Sequence, residues 1–188
     1  MNPKIRKRIV RPLLAALVVI GAYAAYLAYT DNFHTVIAGE LYRSAQPSPE
    51  DIAAWHKRYG IKTIINLEGP HPYAAWYRKE KATTEALGIT LIDHQMSAQR
   101  DVQAAEVDQI LKILSTAQRP ILVHCRSGAD RSGLVSALYV AAIAHGSEFF
   151  AELQLTPVFG HLPLAFLPSY AMDRSFERAE TRLGYPGS

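Results

Sequence analysis

The 188-residue chain contains only one cysteine, Cys125. An intramolecular disulfide is therefore impossible, and a fold held together by a disulfide framework is excluded. Cysteine usage does not decide the compartment in which the chain works, although a lone thiol is unusual in an exported domain. The presence of Cys125 therefore calls for a chemical explanation.

Acidic residues are absent before Asp31, whereas five of the 20 basic residues precede it. Residues 31–188 consequently carry 15 basic side chains against 17 acidic ones, so the formal charge of +3 originates in the N-terminal segment alone. A nucleic-acid-binding domain would carry its basic excess on the folded part of the chain. We therefore expect no binding to nucleic acid. The five early basic residues are Lys4, Arg6, Lys7, Arg8 and Arg11.

Charged residues are also absent from residues 13–29, a run of 17 residues. This length is at the lower limit for a membrane-spanning helix. The basic residues on its N-terminal flank favour a cytoplasmic N-terminus, which would place residues 31–188 on the other side of the membrane. We interpret residues 1–30 as a membrane anchor, because Tyr23, Tyr26 and Tyr29 suit a membrane interface better than a cleavage site.

Two alternatives to the anchor remain open at the level of the sequence. The first is a cleavable secretory signal, with the small residues Ala22, Ala24 and Ala25 near its end. The second is a buried core helix of a soluble protein, whose flanking charge asymmetry would then be accidental. In all three cases residues 31–188 form the remaining domain, which is long enough for one hydrophobic core.

Internal repeats and low-complexity segments are absent after residue 30, and helical patterns alternate with short apolar runs. This alternation predicts an α/β domain with a mainly parallel central sheet flanked by helices. Ser48 and Gly60 are expected to cap the first helix of this domain, and Asp101 is expected to cap a later one. The predicted strands are 62–67, 89–96 and 121–123, and the predicted helices are 49–59, 73–87, 102–116, 134–145 and 170–183.

The loop after the predicted strand 121–123 combines a nucleophile with an anion site. Cys125 lies between this buried strand and a buried helix, and five residues separate it from Arg131. A loop that curls into a helix N-terminus directs backbone N–H groups inward, which creates an anion cradle and favours thiolate over thiol. Gly128 permits the turn, and the Arg131 guanidinium can bind two phosphate oxygens. These features are those that phosphoryl transfer through a covalent intermediate requires.

The sequence His-Cys-x5-Arg-Ser over residues 124–132 resembles the signature of the protein tyrosine phosphatase superfamily. The short chain is similar to small bacterial dual-specificity-like members that carry an N-terminal membrane or export segment. The segment Leu-Tyr-Arg-Ser-Ala-Gln-Pro at 41–47 also resembles that group, and the resemblance covers roughly residues 35–180.

The resemblance implies a role for each loop residue. Cys125 attacks phosphorus and forms a phosphocysteine, Arg131 and the loop amides hold the phosphate oxygens, and Ser132 hydrogen-bonds the sulfur. His124 orients the loop or is simply the last residue of the strand. No metal and no cofactor are implied, and the seven histidines show no H-E-x-x-H spacing. The implied phosphate-binding residues are Arg126, Ser127, Gly128, Ala129, Asp130, Arg131 and Ser132.

The general acid that protonates the leaving group is left open between three aspartates. Asp101 is expected at a loop–helix junction 24 residues before the cysteine, where helix capping alone would also explain it. Asp130 lies beside Arg131 inside the loop 125–131, here called the phosphate loop. A salt bridge with the arginine is an equally ordinary role for it. Asp93 is expected in the middle of a strand, which restricts its approach to a leaving group.

The sequence indicates a phosphomonoester hydrolase of the protein tyrosine or dual-specificity type, with phosphorylated proteins as substrates. The alternatives are a phospholipid or small phosphate-ester phosphatase at the membrane, and a non-catalytic phosphate-binding module. Lysines, which occur in the loops of relatives that act on inositol phosphates, are absent from this loop. Glu68 also stands after strand 62–67, where some relatives have an arginine, so an additional contact with a substrate phosphate is in doubt there.

Overall fold

A five-stranded sheet forms the centre of the domain in the computed structural model, which describes residues 3–185. Along the sheet the strands follow the order β1-β2-β5-β3-β4, and only the β1–β2 pair is antiparallel. The mainly parallel α/β sheet predicted from the sequence is therefore confirmed. The strands are β1 (His34–Ile37), β2 (Leu41–Ser44), β3 (Thr63–Asn66), β4 (Thr90–Asp93) and β5 (Ile121–His124).

The β1–β2 hairpin was not predicted, because β1 has neither a continuous apolar run nor a clear alternation. Its four residues are mostly half-buried, and its register with β2 shifts between Thr35 and Ile37. β2 carries a polar pair, Arg43 and Ser44, yet all four of its residues are buried. The hairpin matters for function because it places β2 beside β5.

Within residues 3–185, seven α-helices surround the sheet or precede it. The predicted helix from residue 49 is confirmed in detail: Ser48 and Asp51 form a capping box, and Gly60 adopts a left-handed conformation with φ of 71°. The last predicted helix is shorter than expected and is flanked by 3₁₀ turns. The helices are α1 (Pro3–Tyr29), α2 (Pro49–Tyr59), α3 (Ala75–Leu87), α4 (Ala104–Thr116), α5 (Asp130–Ala142), α6 (Glu148–Glu152) and α7 (Ala171–Glu180).

α5 is the central helix of the core and begins directly after the cysteine loop. Residues 132–141 of α5 are all buried, and they pack with α4, α7 and one face of the sheet. The helix begins at Asp130 and ends at Ala142, whereas the apolar run predicted a start at residue 134. The earlier start brings its first turn, which contains polar residues and a glycine, into the phosphate loop.

Asp101 does not cap α4, so this prediction was wrong. The N-terminal cap position of α4 is Gln103, and α4 begins at Ala104. Asp101 instead pairs with Arg174 and Arg178 of α7, each at 2.7 Å. Two guanidinium partners from another helix draw the carboxylate away from the α4 backbone.

α1 is a long helix that precedes the domain, and its part from Val10 onward is mostly apolar and exposed. Its residues Val10–Tyr29 have a mean hydropathy of 1.8 and are only 6% buried, so length and composition suit a membrane span or a signal sequence. The interpretation as a buried core helix was therefore wrong. Leu27 is the one residue of Val10–Tyr29 that is buried against the domain.

Candidate active site

The loop that follows β5 places Cys125 at the carboxyl end of the parallel strands. His124 is the last residue of β5, as one of the two sequence interpretations had it, and α5 begins five residues after Cys125. The cysteine is buried, and its Sγ lies 3.4 Å from the Ser132 hydroxyl oxygen. The sulfur therefore lies beside the first turn of α5, where the helix dipole stabilises an anion.

Gly128 allows the loop to pass directly over the end of β2. Its φ is +70°, and a Cβ atom built on it would lie 2.6 Å from the backbone nitrogen of Ala45 and the carbonyl carbon of Ser44. A larger residue would force the loop away from the sheet. The glycine predicted to permit the turn is thus sterically required.

Arg43 of β2 supports the loop from behind. Its guanidinium donates hydrogen bonds to the carbonyl oxygens of Gly128 at 2.9 Å and Ala129 at 2.8 Å. It also donates to the backbone and side-chain oxygens of Gln154, at 2.8 and 3.1 Å. These bonds occupy the carbonyl oxygens of Gly128 and Ala129 and attach this part of the loop to β2.

The buried charge of Arg43 also interacts with Cys125. Burial lowers the pKa of Arg43, whereas Cys125 and Asp130 raise it. Arg43 is fully buried and lies 4.5 Å from the centre of the Phe159 ring. A guanidinium remains protonated in proteins, so Arg43 contributes a fixed positive charge behind the loop that contains Cys125.

Glu68 occupies the mouth of the cradle. One oxygen of its carboxylate accepts a hydrogen bond from the backbone N–H of Arg126 at 2.8 Å and another from the Arg131 guanidinium. Arg131 also donates to the carbonyl oxygens of Leu67 at 3.2 Å and Met96 at 3.3 Å. The Glu68 carboxylate thus accepts hydrogen bonds from the Arg126 N–H and the Arg131 guanidinium, the two groups that the sequence predicts to bind phosphate.

Asp130 is bound to a buried histidine. His161 bonds through Nδ1 to Asp130 at 2.7 Å and through Nε2 to Asp173 at 2.8 Å. Burial lowers the pKa of His161, but the two carboxylates raise it more, to about 9. The imidazole is therefore a cation at neutral pH, and it fixes the first turn of α5 to α7.

The carboxylate of Asp101 is held in a salt bridge outside the loop. The hydrogen bond from Arg174 lowers the pKa of Asp101 despite some desolvation, and Arg178 lowers it further. Among the described residues, its recorded side-chain partners are these two arginines. Asp101 is therefore an anion at neutral pH, in a pair that must open before it can donate a proton.

Asp93 lies at the end of β4 and not in the middle of a strand, which corrects the sequence expectation. Its carboxylate accepts hydrogen bonds from Tyr77 and, at 2.8 Å, from Asn66. Burial and the hydrogen bond to Asp93 together raise the pKa of Tyr77 to about 12. Asp93 thus joins β4 to β3 and α3.

His124 connects the phosphate loop to α3. Its Nε2 lies 2.7 Å from Glu80, and both side chains are fully buried. The other oxygen of Glu80 accepts a bond of 3.2 Å from Gln46, which follows β2. These contacts support the expectation that His124 orients the loop.

Two open hollows flank the Glu68–Arg131 pair. One has a volume of about 490 Å³ and is lined by residues 95–100 and Arg131. The other, of about 400 Å³, is lined by Gln46, Glu68, His71, Trp76 and Arg126. A phosphate ester in the cradle could therefore extend its organic group to either side.

One group of three carboxylates could hold a cation, judged on the part of the chain that the structure describes. Glu148 and Glu152 of α6 meet Glu180 of α7, with ligand atoms within 4.8 Å of one another. Burial raises the pKa of Glu180, as do the neighbouring carboxylates. This group is built from α6 and α7 and includes no residue of the phosphate loop.

Arg43 and Glu68 are the two site residues whose roles sequence reasoning missed. A charged residue inside the buried strand 41–44 was the available signal for Arg43, because such a group must find several partners. For Glu68, the sequence shows only that it stands where some relatives have an arginine. Its contact with Arg126 and Arg131 depends on the pairing of β3 with β5, which a sequence pattern does not define.

The comparisons with known proteins agree with this geometry. A family model described as "PTP-SAK: Swiss Army Knife protein, DSP-PTPase phosphatase domain" matches residues 30–156, more than half of the chain. The chain belongs to this family. The predicted superfamily and fold are therefore confirmed, and the matched family is of the phosphatase class that the sequence predicts.

Two curated relatives show how far the similarity extends. The inositol diphosphatase SIW14 of Saccharomyces cerevisiae is 32% identical over 108 residues, which cover 55% of this chain and 37% of SIW14. The dual specificity protein phosphatase TpbA of Pseudomonas aeruginosa is 31% identical over 101 residues, which cover 53% of this chain and 42% of TpbA. The match thus spans less than half the length of either relative.

Solved structures of the same two proteins share the fold. A crystal structure of TpbA has a TM-score of 0.62 at 24% identity, covering 82% of this chain and 92% of that one. The core catalytic domain of SIW14 in complex with citrate has a TM-score of 0.59 at 24% identity, covering 81% and 93%.

Proposed function

We propose that this phosphatase hydrolyses phosphomonoesters through a phosphocysteine on Cys125, with phosphotyrosine in proteins as its main substrate. The observation that carries the proposal is the position of the Cys125 sulfur, 3.4 Å from Ser132 at the start of α5 and beneath a cradle whose mouth contains Arg131. A nucleophile, a hydroxyl for the departing thiolate and a guanidinium for the phosphate oxygens therefore occur in one loop.

The proposed reaction has two steps. In the first, the Cys125 thiolate attacks phosphorus, an S–P bond forms, and the bond to the leaving oxygen breaks while that oxygen receives a proton. In the second, water attacks phosphorus and gives a proton to the carboxylate that acted as the acid, the S–P bond breaks, and inorganic phosphate leaves as the thiolate is restored. Arg131 and the loop N–H groups bind the oxygens in both steps, and the Ser132 hydroxyl donates to the departing sulfur.

Asp101 and Asp130 are the two candidates for the general acid that donates the proton in the first step. Asp130 is bound to the His161 cation, and Asp101 is bound to two arginines. We favour Asp101, because the segment just before it, residues 95–100, lines the hollow that also contains Arg131. A pH–rate profile of Asp101→Asn and Asp130→Asn tests the choice, since the true acid's variant loses the alkaline limb.

The rim of the site supports a monoester over a highly phosphorylated inositol. Glu68 adds a negative charge at the mouth, and Trp76 and His71 offer aromatic rings in the adjacent hollow. A TpbA crystal structure with bound pTyr, at 23% identity, agrees with an aromatic ester. SIW14, in contrast, is named as an inositol diphosphatase, so inositol pyrophosphates belong in the substrate panel.

A phospholipid or other membrane-borne phosphate ester is the second candidate substrate. It is favoured by α1, whose 20-residue apolar part is exposed and has the length of a bilayer crossing. We propose that α1 anchors the protein in a membrane and that residues 31–188, which include the catalytic domain, lie outside the cytoplasm. The basic residues before the span support this orientation.

Hydrolysis of p-nitrophenyl phosphate and phosphotyrosine peptides by the full chain tests the proposal. We expect wild-type protein to release phosphate and Cys125→Ser to release none, while mass spectrometry of acid-quenched wild type detects a phosphate adduct on Cys125. Equal release by both proteins would refute a cysteine nucleophile. Oxyanion binding without turnover by wild type would instead support the non-catalytic module.

A further inference from the structure

A second apolar surface adjoins α1. Residues 157–168, here called the apolar loop, connect the α6 region to α7 and contain no aspartate, glutamate, lysine or arginine. Four of their large side chains are exposed, and Phe166 is the most exposed at 80%. The others are Val158, Leu162 and Leu164. A contiguous exposed apolar segment of this kind marks a site of interaction.

The apolar loop packs directly against the C-terminal part of α1. The Tyr23 hydroxyl donates a hydrogen bond of 2.6 Å to the carbonyl oxygen of Val158. One turn later Leu27 is buried, and a Cβ atom built on Gly160 would lie 3.4 Å from it. Tyr23 and Leu27 are four residues apart and therefore share one face of the helix.

The contact at Tyr23 defines how far from the end of α1 the apolar loop lies. Tyr23 precedes the helix end at Tyr29 by six residues, which corresponds to about 9 Å along the axis. Apolar elements that lie in a membrane interface insert by about 5–10 Å. If the apolar part of α1 crosses a bilayer, the loop is therefore at the depth of the interface.

We propose that the apolar loop lies in the lipid interface and is a second membrane contact of this protein, beside α1. The occupant of this surface is a lipid bilayer, because the loop contacts α1 at Tyr23 and Leu27, which lie within the uncharged run 13–29 of an exposed helix long enough to cross a membrane. A second copy of the chain would have to cover the loop while leaving the adjacent helix to lipid.

The same elements hold the phosphate loop close to this surface. Asn32, three residues after α1, donates hydrogen bonds of 2.9 Å to the carbonyl oxygens of Ser127 and Phe159. His161 of the apolar loop bonds to Asp130 at the other end of the phosphate loop. The active site is thereby tied at two points to the segments nearest the bilayer, so an ester attached to the membrane would reach it directly. This last consequence rests on the proposed function.

Depth-dependent fluorescence quenching tests the lipid contact without requiring activity. The full chain carrying Cys125→Ser would receive a single cysteine, Phe166→Cys or the control Gln118→Cys, labelled with an environment-sensitive nitrobenzoxadiazole. Gln118 is exposed and lies before β5, at the opposite edge of the sheet from the phosphate loop. In phosphatidylcholine nanodiscs with doxyl-labelled lipid, we expect loss of most of the fluorescence at position 166 and little loss at 118.

Equal quenching at the two positions would overturn the proposal. A label at position 166 that is shielded from aqueous iodide but not quenched by doxyl lipid would overturn it too, since a protein partner would then cover the loop. Because the quenching experiment uses the inactive variant, its result is independent of whether the proposed phosphatase reaction is correct.

Activity provides a second readout through Phe166→Asp, which alters an exposed side chain and should leave the melting temperature in detergent unchanged. We expect equal hydrolysis of p-nitrophenyl phosphate and slower hydrolysis of a phosphate ester carried by vesicle lipid, relative to wild type in the same vesicles. If Phe166→Asp and wild type hydrolysed the lipid-borne ester at the same rate, the apolar loop would have no role in the use of membrane-borne substrates. Inactivity of wild type on both substrates would refute the proposed function, while the quenching result would stand.

Discussion

The floor and the mouth of the candidate active site are built from charged residues in opposite ways. Below the phosphate loop, Arg43, His124 and His161 are each 0% exposed and are paired with fixed protein partners. At the mouth, Arg131 and Glu68 are partly exposed, at 15% and 17%, and pair with each other. Removal of a buried partner leaves an uncompensated group, whereas a partner at the mouth can be exchanged for a ligand. The floor therefore determines stability and loop shape, and the mouth determines binding.

The largest effect is expected at the floor, for Arg43→Met. The substitution removes the side-chain donor of the Gly128 carbonyl oxygen and one of the two donors of the Ala129 carbonyl oxygen, which keeps the Gly133 N–H. The loss of a buried charged partner costs about 3–5 kcal/mol. We expect the free energy of unfolding, measured by urea denaturation, to fall by this amount. Arg58→Met is the matched control, because Arg58 is exposed and rests on the Tyr59 ring. Similar losses for both variants would contradict a special role for the floor.

The next effect is expected at the mouth, for Arg131→Lys. Lysine keeps the charge but lacks the planar fork, so it cannot bind two phosphate oxygens and the Leu67 and Met96 carbonyls together. We expect kcat/KM for p-nitrophenyl phosphate to fall by about 10²–10³-fold, as for the loss of one donor to a transition state. The melting temperature should change little.

Arg126→Lys is the comparison for this experiment, because its recorded contact at the mouth is made by the backbone N–H. Its kcat/KM should therefore fall much less than that of Arg131→Lys. Equal losses in the two variants would show that charge alone matters at the mouth, and the fork of Arg131 would then have no separate role.

A smaller, pH-dependent effect is expected from His161 in the floor. Its pKa is raised from 6.5 to about 9 in the folded protein, so the stability it contributes is complete below pH 6.5 and disappears as the pH rises through about 9. Urea denaturation should show wild-type stability declining over this interval and His161→Gln declining less. His71→Gln, at the exposed rim, should keep the wild-type slope. An unchanged slope in His161→Gln would exclude the buried cation.

The fold was largely predictable because most elements are encoded locally. Ser48, Pro49 and Gly60 mark the ends of α2 in the sequence as they do in the structure. The apolar run 121–123 likewise identified the strand before the phosphate loop. Failures occurred where a distant partner outweighs a local preference. Asp101, for example, has the sequence position of a helix cap but binds two arginines that lie over 70 residues later.

The candidate site was predictable where a single loop contains it. Cys125, Gly128, Arg131 and Ser132 are neighbours in sequence, so their spacing alone suggested the cradle. Arg43 and Glu68 come from β2 and β3, which flank β5 only after the sheet has formed. Their contribution depends on strand order, and sequence patterns predict strands much better than they predict strand order.

The smallest effect, and the sharpest test of the difference between floor and mouth, is expected for Glu68→Gln. The Glu68 carboxylate holds the Arg126 N–H and the Arg131 guanidinium, so a phosphate must displace it. A neutral amide competes less strongly, because hydrogen bonds between a charged pair contribute about 1.5–3 kcal/mol. We expect inorganic phosphate to inhibit the variant at a concentration about tenfold lower, with a lower KM for p-nitrophenyl phosphate.

Glu85→Gln, an exposed change on α3, is the control and should match wild type in both measurements. If Glu68→Gln instead lowers kcat without changing phosphate inhibition, then Glu68 positions Arg131, and the mouth is as fixed as the floor.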